Sequence, residues 1–425
     1  MNEMPAHAPS GRAKHLSDEA LLDLVQRQTF RYFWDFAHPG SGMARDRSGH
    51  AAGGSSDLIA VGGTGFGVMA MIVAAERGWI TRKEATDRLT QILGYLAAAD
   101  QYNGVFPHYL DGPTGKEISF WPDNAGGDLV ETSYLVQGLL AARQYFCAGD
   151  ATEKALCGNI EKLWRAVNWN WHTKGADVLY WHRNEKTEKE NHHRIEGWNE
   201  CLITYVLAAA SPTFPIRPSV YHEGWAKGAQ FQNGKQYYGV TLPLGPELGG
   251  PLFFAHYSFL GLDPRGLKDR YADYWQQNRN HALINYRHCV ENPNHYAGYG
   301  PNCWGITASD GDKGYFPHDP EQDKGVIAPT AALSSIPYTP HESMKALRHF
   351  YDDLGGRIWD DYGFADAFNP ATGWVASDHL AIDQGPIVCM IENYRSGLLW
   401  RLFMSCPEVQ QGLQLLDFEY GPAVA

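Results

Sequence analysis

The sequence predicts an all-α fold, an (α/α)6 barrel of six helical hairpins with small β-hairpins in its rim loops. Three observations lead to this prediction. About a dozen segments carry apolar residues at helical spacing, most of them within the usual length of globular helices. Strongly apolar segments alternate with amphipathic ones, as expected for inner helices and the outer helices that shield them. Short turns alternate with long loops rich in Gly, Pro, His and Trp.

The chain divides into a disordered tail at 1–16 and a single barrel domain at 17–425. The tail lacks apolar periodicity. Ser17 followed by two acids is a helix start signal, and the first helix ends before Pro39. The loop that follows is polar and glycine-rich, so we expect it at the rim.

Two inner–outer pairs are predicted next, 64–77 with 81–100 and 128–147 with 151–168. In each pair the first member is apolar around its circumference and the second is amphipathic, which fits a buried helix and its cover. The glycine-rich run at 62–67 has no preceding strand. It therefore indicates a turn or a helix start rather than a dinucleotide-binding loop.

The second half of the chain continues the pattern. Segments 169–196 and 231–251 are predicted to hold short strands or hairpins, the first with a charged tip around Lys186–Glu190. A helical array without a central pocket is the alternative, but no repeat signature favours it. Further helices are expected at 198–210, 219–228, 252–260, 267–291, 303–309, 328–335, 340–354, 384–403 and 407–415.

Composition narrows the class of ligand. Acids outnumber bases 48 to 35, giving a net charge of −13. A nucleic-acid partner needs a basic surface, and an anionic membrane surface needs one too, so both are disfavoured. Aromatic residues make up 13% of the 425 residues and offer flat faces. A neutral ligand rich in hydroxyl groups fits this balance better than a phosphate-bearing one.

Motifs for cofactors and metals are missing from the sequence. It holds 18 histidines but no HExxH, and seven cysteines without a CxxC pair. It also lacks a P-loop and a GxSxG elbow. We therefore predict no metal and no organic cofactor.

The first 20 residues contain no secretory signal, and no apolar run is long enough to span a bilayer. A cytoplasmic location is expected if the chain is complete, and a periplasmic one if a leader has been removed.

Four carboxyl groups lie where loops meet predicted helices. Asp128 and Glu131 are three residues apart in a first helical turn and so share one face, although the same spacing is typical of a capping box. Glu200 begins another helix, where an acid also suits the helix dipole. Asp383 precedes a glycine and a proline in an apolar context. Because acids are seldom buried without a partner or a role, these four are candidates for chemistry.

Five motifs resemble one family. They are GGDLVET, FFAHYSFLGLDPRG, YGPNCWGITASDGDKGY, IAPTAALSSIPYTPHESMKALRHFY and IDQGPIVCMIENYRSGLLW. Together they resemble the bacterial glucoamylase-like domain family, whose characterised members include the endo-β-1,2-glucanases of glycoside hydrolase family 144. The resemblance runs over nearly the whole chain from about residue 17. It implies an (α/α)6 barrel and an inverting hydrolase that cleaves β-1,2-glucans without a cofactor.

The resemblance also implies roles for individual residues. Glu200 matches a candidate general acid and Asp383 a candidate for the basic side, while Asp128 and Glu131 match acids near the scissile bond. Since Asp128 and Glu131 share one helical turn, we expect them to bind hydroxyl groups instead of flanking the sugar. The positions expected to contact sugar are Trp121, His256, Asn302, Trp304 and Asp310.

Two other functions stay open at this point. An exo-acting or transglycosylating enzyme on β-1,2-glucooligosaccharides or cyclic β-1,2-glucan would use the same barrel, with rim loops that close one end of the cleft. A glycan-binding protein without catalysis would bind the same ligand and form no product. Product analysis distinguishes all three.

Overall fold

A ring of buried helices forms the centre of the protein. The computed structural model describes residues 13–49, 57–120, 125–184 and 193–421. Residues 1–12 of the predicted tail (1–16) and the predicted hairpin tip around Lys186–Glu190 lie outside these ranges, so the division into a tail and one domain stays a prediction. None of the described helices has the length and apolarity needed to cross a membrane.

Helices account for most of the regular structure. They are α1 (Asp18–Trp34), α2 (Val61–Glu76), α3 (Arg82–Leu96), α4 (Leu129–Phe146), α5 (Ala151–Ala166), α6 (Leu202–Ala210), α7 (Tyr274–Glu291), α8 (Pro329–Ser334), α9 (Pro340–Arg348), α10 (Gly355–Ile358), α11 (Ala381–Arg395), α12 (Leu398–Met404) and α13 (Pro407–Leu415).

The inner ring consists of α2, α4, α6, α8 and α11, whose residues are buried along almost their whole length. The segment 252–260 takes the remaining inner position, between α6 and α11. Helices α1, α3, α5, α7 and α9 lie outside and bury one face each. This arrangement is the predicted all-α barrel, with apolar helices inside and amphipathic ones around them.

The strands are short and lie in the loops, as predicted. They are β1 (Leu58–Ala60), β2 (Tyr109–Asp111), β3 (Glu117–Ile118), β4 (Gly127–Asp128), β5 (Leu179–Tyr180), β6 (His182–Arg183), β7 (Arg194–Ile195), β8 (Gln236–Tyr237), β9 (Val240–Thr241), β10 (Trp359–Asp360) and β11 (Gly363–Phe364). All pairings are antiparallel: β1–β2–β3, β4–β6, β5–β7, β8–β9 and β10–β11. The β4–β6 pair matters most here because it aligns His182 with Asp128 at the start of α4.

Several predicted helices differ in the structure. Segment 219–228 is a π-helix, Val220–Gly224, followed by a 3-10 turn, Trp225–Lys227. Segment 252–260 forms two 3-10 turns, Leu252–Ala255 and Tyr257–Leu260, interrupted at His256. Segment 303–309 is not helical, because Gly305 has a φ of +124°, outside the helical region. The predicted helix 384–403 is two helices, because Gly397 (φ +67°) follows α11 as a left-handed cap.

The glycine-rich run at 62–67 forms the first turns of α2, which is the predicted helix start, but the short strand β1 (Leu58–Ala60) precedes it, contrary to the prediction. A Cβ on Gly65 would lie 2.2 Å from the carbonyl oxygen of Tyr134, and a Cβ on Gly138 would lie 2.2 Å from the carbonyl oxygen of Gly65. The backbones of α2 and α4 therefore touch at these glycines. Their absent side chains let the two inner helices pack closely enough to align their ends.

We predict that Gly138→Ala lowers the free energy of unfolding by about 1–3 kcal/mol, because the new methyl group forces α2 and α4 apart. Gly158→Ala on the outer helix α5 is the matched control, since a Cβ there meets no atom within 4 Å. It should be neutral or stabilising by up to about 1 kcal/mol through helix propensity. Urea unfolding of both variants measures the difference. Equal stabilities would show that the glycine contact is not required.

Candidate active site

The inner helices α4, α6 and α11 begin at the same end of the barrel, and each brings a predicted acid there. Asp128 is the N-cap of α4, Glu200 lies two residues before α6, and Asp383 is in the first turn of α11. The positive end of a helix dipole favours carboxylates in such positions. The barrel therefore gathers residues that are far apart in the sequence.

Asp128 is completely buried and fully surrounded by donors. Its Oδ1 accepts hydrogen bonds of 3.0 Å from the amides of Val130 and Glu131. Its Oδ2 lies 2.8 Å from His108 Nδ1 and 3.0 Å from His182 Nε2. Burial opposes ionisation, but the charge of His182 and the hydrogen bonds from both imidazoles outweigh it and hold the pKa of Asp128 well below its usual range.

Glu131 does not complete a capping box, because its side chain turns away from Asp128. Its Oε2 accepts a 2.8 Å hydrogen bond from the amide of Gly62 in α2, and its Oε1 lies 3.9 Å from His108 Nε2. Burial raises the pKa of Glu131 to about 7, with His108 acting in the opposite direction. The cap reading thus holds for Asp128 alone, and Glu131 is a buried carboxyl group of the pocket wall.

His108 connects these two acids. Burial disfavours its charged form, yet the charge of Glu131 and the hydrogen bond to Asp128 raise its pKa to about 9. The imidazolium form therefore prevails at neutral pH. His108 was not among the predicted site residues, and only the fold brings it beside Asp128.

Glu200 is half-buried next to this group. Asn199 Oδ1 accepts from the amide of Cys201 at 3.0 Å, and Ser258 donates to the main-chain carbonyl of Glu200, so its backbone is held on both sides. Burial, followed by the charges of Glu131 and Asp128, raises the pKa of Glu200 to about 7. A carboxyl group that keeps its proton near neutrality is suited to general acid catalysis.

Asp383 is 3% exposed and lies against Asp366, which the sequence did not single out. Neither oxygen of Asp383 is reached by solvent or has a donor, and the same holds for Oδ1 of Asp366. The second oxygen of Asp366 accepts a 2.7 Å hydrogen bond from the amide of Asp310. Burial, then repulsion between the two carboxyl groups, raises the pKa of Asp383 well above its usual range.

Arg47 ties the surrounding acids together. Its guanidinium lies 3.3 Å from each of Asp46, Asp310 and Asp378. The backbone of Arg47 also pairs with Leu380, immediately before α11. The polar loop that follows α1 is thus fixed against the helix that carries Asp383.

Tyr257 lies within electrostatic range of both Glu200 and Asp383. Its hydroxyl feels the charges of both Asp383 and Glu200, and these, after burial, raise its pKa. Glu200 and Asp383 are therefore within electrostatic range of one side chain. Tyr315 is 50% exposed and interacts with the charges of Asp383 and Asp366, so it borders the same region at the solvent side.

The residues predicted to contact sugar differ in their position relative to the site. Asp310 joins the site through Arg47 and Asp366. Asn302 is exposed, and Trp121 lies outside the described residues.

Two of the predicted sugar contacts are buried in the structure, and their contact with sugar stays a prediction. Trp304 has no exposed surface and donates from Nε1 to the carbonyl of Glu342. His256 is 1% exposed, with Nε2 2.9 Å from Ser335 Oγ, and burial lowers its pKa to about 3. With almost no exposed surface, both rings lie in the core.

The residues that sequence reasoning missed are His108, His182, Asp366 and Arg47. Each reaches the site through a loop or a two-residue strand, where periodicity carries no signal. His182 faces Asp128 only because β4 pairs with β6, and Asp366 meets Asp383 only because the loop after β11 folds under α11.

His108, Asp128 and His182 also form a group of possible metal ligands. One ligand atom from each lies within 4.8 Å of the others. Two imidazoles and a carboxylate are ligands that a divalent zinc ion accepts. The 2.8 Å contact between His108 and Asp128 is a direct hydrogen bond, while His182 lies at ion-pair distance, 3.0 Å, and neither of its ring nitrogens has a hydrogen-bond partner of good geometry. The expected absence of a metal stays a prediction.

A cleft of about 320 Å³ opens beside Glu200. Asn199 and Trp198, which precede Glu200, line one side, and Phe254 and Pro251 line another. Its charged walls are acidic, among them Glu247. Neither Glu200 nor Asp383 lines the cleft itself, and its acidic side chains offer carboxylate oxygens to hydroxyl groups.

Comparisons with known proteins agree with this fold. The family model described as "Putative glucoamylase" matches residues 192–407. An endo-β-1,2-glucanase from Chitinophaga pinensis, solved with sophorotriose and glucose, has 53% identity and a TM-score of 0.93, covering 95% of this chain and 99% of that one. A putative glucoamylase from Bacteroides uniformis has 54% identity and a TM-score of 0.93, covering 96% and 99%.

A curated relative adds a different mode of action. The exo β-1,2-glucooligosaccharide sophorohydrolase (non-reducing end) from Parabacteroides distasonis is 46% identical over 424 residues. The match covers 95% of this chain and 58% of that protein. The chain therefore spans little more than half the length of this relative.

We predict that His108→Gln flattens the pH dependence of stability on the alkaline side. Because the pKa of His108 is raised from 6.5 to about 9 on folding, its contribution is complete below pH 6.5 and is lost as the pH rises through 9. The wild-type protein should lose stability between pH 7.5 and about 9.5, and the variant should lose less.

The matched control is His349→Gln, which removes a histidine from an exposed contact with Asp353. Chemical unfolding at both pH values, applied to the three proteins, gives the slopes. A surface pair contributes little, so the control should follow the wild type. If His108→Gln also follows the wild type, the paired imidazolium of His108 is not what the structure describes.

Proposed function

Because this chain belongs to the glucoamylase-like family, we propose that it is a glycoside hydrolase that cleaves β-1,2-glucan. The observation that carries the proposal is the pair of carboxyl groups, Glu200 and Asp383, that approach one pocket from the starts of α6 and α11. Family relatives that act on β-1,2-linked glucose chains supply the substrate class.

The proposed reaction inverts the anomeric centre. An inverting glycosidase needs an acid at the leaving oxygen and a base that activates water on the opposite face of the sugar. Glu200 is the proposed acid, supported by a pKa of about 7 that leaves it largely protonated in mildly acidic solution. Asp383 is the proposed base, because it reaches the pocket from a different inner helix than Glu200 does.

Asp128 and Glu131 are proposed to assist from the side of Glu200. Their negative charges help raise the pKa of Glu200 and so keep the acid protonated. The same carboxyl groups, with His108 between them, present both acceptors and a donor to sugar hydroxyls. Two acids in one helical turn cannot flank a sugar ring, which is why neither is assigned the base.

The water must reach an Asp383 that is closed to solvent before substrate binds. Tyr315 is the half-exposed side chain next to Asp383, on a loop held by pairing between Ser309 and Phe316. We propose that this loop shifts as the sugar enters. The closed site would then protect the base from bulk solvent until the substrate is in place.

The proposed action is endo, releasing short β-1,2-glucooligosaccharides. The endo-acting relative is 53% identical over almost its whole length, against 46% for the exo-acting one. The cleft beside Glu200 supports this choice, since its volume of about 320 Å³ gives room for further sugar units. Exo action is the second candidate, supported by the curated relative.

We predict that Glu200→Gln and Asp383→Asn each lower kcat on linear β-1,2-glucan by about 100-fold or more, in the range of acid–base groups. Glu76→Gln is the matched control. It changes an exposed glutamate at the C-terminal end of α2, away from the helix starts that hold the acids, and should keep kcat near the wild-type value. Near-wild-type kcat in both active-site variants would contradict the assignment.

Product analysis over time distinguishes the modes of action. An endo enzyme should produce a range of oligosaccharide lengths early, and an exo enzyme should produce one short product from the start. NMR of the first anomer formed should show the α configuration, as inversion requires. Binding of the glucan without any product would support a non-catalytic protein and overturn the proposal.

A further inference from the structure

Asp366 is the acid that lies against Asp383 at the start of α11, on the loop that follows β11. Both side chains are 3% exposed. Two carboxylates placed together and cut off from water repel each other, and no lysine or arginine is within ion-pair distance of either one in the part of the chain that the structure describes. The contact needs another source of stability.

A proton supplies it. Three of the four carboxyl oxygens, both of Asp383 and Oδ1 of Asp366, have no donor. If both groups were ionised, all three would be buried acceptors without a partner, which is costly. With one proton between them, the pair contains its own donor, and the two side chains are placed to hydrogen bond to each other.

The neighbouring donors do not replace the proton shared by Asp366 and Asp383. Oδ2 of Asp366 is occupied by the amide of Asp310, so Oδ1 is the oxygen left for Asp383. Arg47 is the nearest cation, but its guanidinium is already shared among Asp46, Asp310 and Asp378.

Asp310 adds a further negative charge near Asp383, and Arg47 offsets part of the charge while it is shared with other carboxylates. The remaining titratable side chains are the neutral hydroxyls of Tyr257 and Tyr315, which feel the charge of Asp383. Neither hydroxyl supplies a positive charge to the pair. A shared proton reduces the negative charge further.

We propose that Asp366 is a positioning residue that shares one proton with Asp383, so that the two carboxyl groups act as a single base with one negative charge. This inference rests on the proposed function. The pair differs from a lone base in that the charge facing the water depends on where the shared proton lies, and Asp366 decides that.

The reaction balances as follows. With the shared proton on Asp366, an oxygen of Asp383 takes a proton from water, and the water oxygen forms a bond to the anomeric carbon. The glycosidic C–O bond breaks, and Glu200 gives its proton to the leaving oxygen. The pair is then neutral and Glu200 ionised. Transfer of one proton from the pair to Glu200 through solvent restores the starting state.

Titration behaviour is consistent with sharing. Burial and the charge of Asp310 raise the pKa of Asp366 to about 7. Because interacting carboxyl groups titrate as a pair, the acid limb of kcat/KM should report the singly charged pair and not one residue.

The test uses Asp366→Asn. The new amide still donates to Asp383 but has no proton to share, so the single negative charge loses the stabilisation that sharing gives. We expect the acid limb of kcat/KM on β-1,2-glucan to move up by about one pH unit or more. The less well placed charge should lower kcat by about 10-fold, less than Asp383→Asn does. A purely structural role would lower stability and leave the limb in place.

Asp323→Asn is the matched control. Asp323 is also buried, at 8% exposure, but its partners are His288 and Tyr299. The control should leave the acid limb unchanged. An unmoved limb in Asp366→Asn, with the variant folded, would overturn the sharing.

A second measurement needs no activity. Because folding raises the pKa of Asp366 from 3.8 to about 7, the folded protein binds the extra proton, and stability falls as the pH rises through this interval. The difference in unfolding midpoint between Asp366→Asn and wild type should therefore increase in favour of the variant from pH 5 to pH 7.5. A constant difference would also overturn the inference.

The two proposals fail in different ways. Wild-type protein that leaves β-1,2-glucan intact overturns the proposed function, while the stability slopes still decide whether the proton is shared. Active wild-type protein with parallel slopes and an unmoved acid limb overturns only the role of Asp366.

Discussion

Burying a carboxyl group costs free energy unless donors surround it or it takes a proton. The pocket uses both solutions. Asp128 receives two backbone amides and two imidazoles and stays ionised. Asp383 has no donor, and in our proposal it shares one proton with Asp366. Glu200 lies between these extremes. One end of the barrel thus holds carboxyl groups in different protonation states, as an acid and a base require.

The inner helices make this possible because they start at the same end. Their N-terminal dipoles partly offset the negative charge, and their free amides serve as donors. The glycine contact between α2 and α4 sets the alignment, since it brings the amide of Gly62 to Glu131. A Cβ on Gly62 would lie 2.4 Å from Glu131 Oε2, so the donor has to be a glycine. The electrostatics of the pocket therefore depend on how closely the helices pack.

Much of this organisation is visible in the sequence. Alternation of apolar and amphipathic segments predicts the barrel, and acids at helix starts predict Asp128, Glu200 and Asp383. The partners of these acids are not visible, because contacts such as Arg47 with Asp310 join residues far apart in the chain through loops without periodicity. The burial of Trp304, which was predicted to contact sugar, is not visible in the sequence for a related reason. Trp304 lies in a motif full of polar residues, yet Gly305 turns the chain so that the ring enters the core.

The central claim is that the pocket keeps Glu200 protonated near neutral pH while Asp128 beside it is ionised. Carbon-13 NMR of the glutamate carboxyl groups, with Glu200 assigned by its loss in Glu200→Gln, tests this directly. The account predicts a titration midpoint near 7 for Glu200 in the wild-type protein, and a lower midpoint when the charge of Asp128 is removed by Asp128→Asn. A wild-type midpoint near 4.5, the ordinary value for a glutamate, would contradict it.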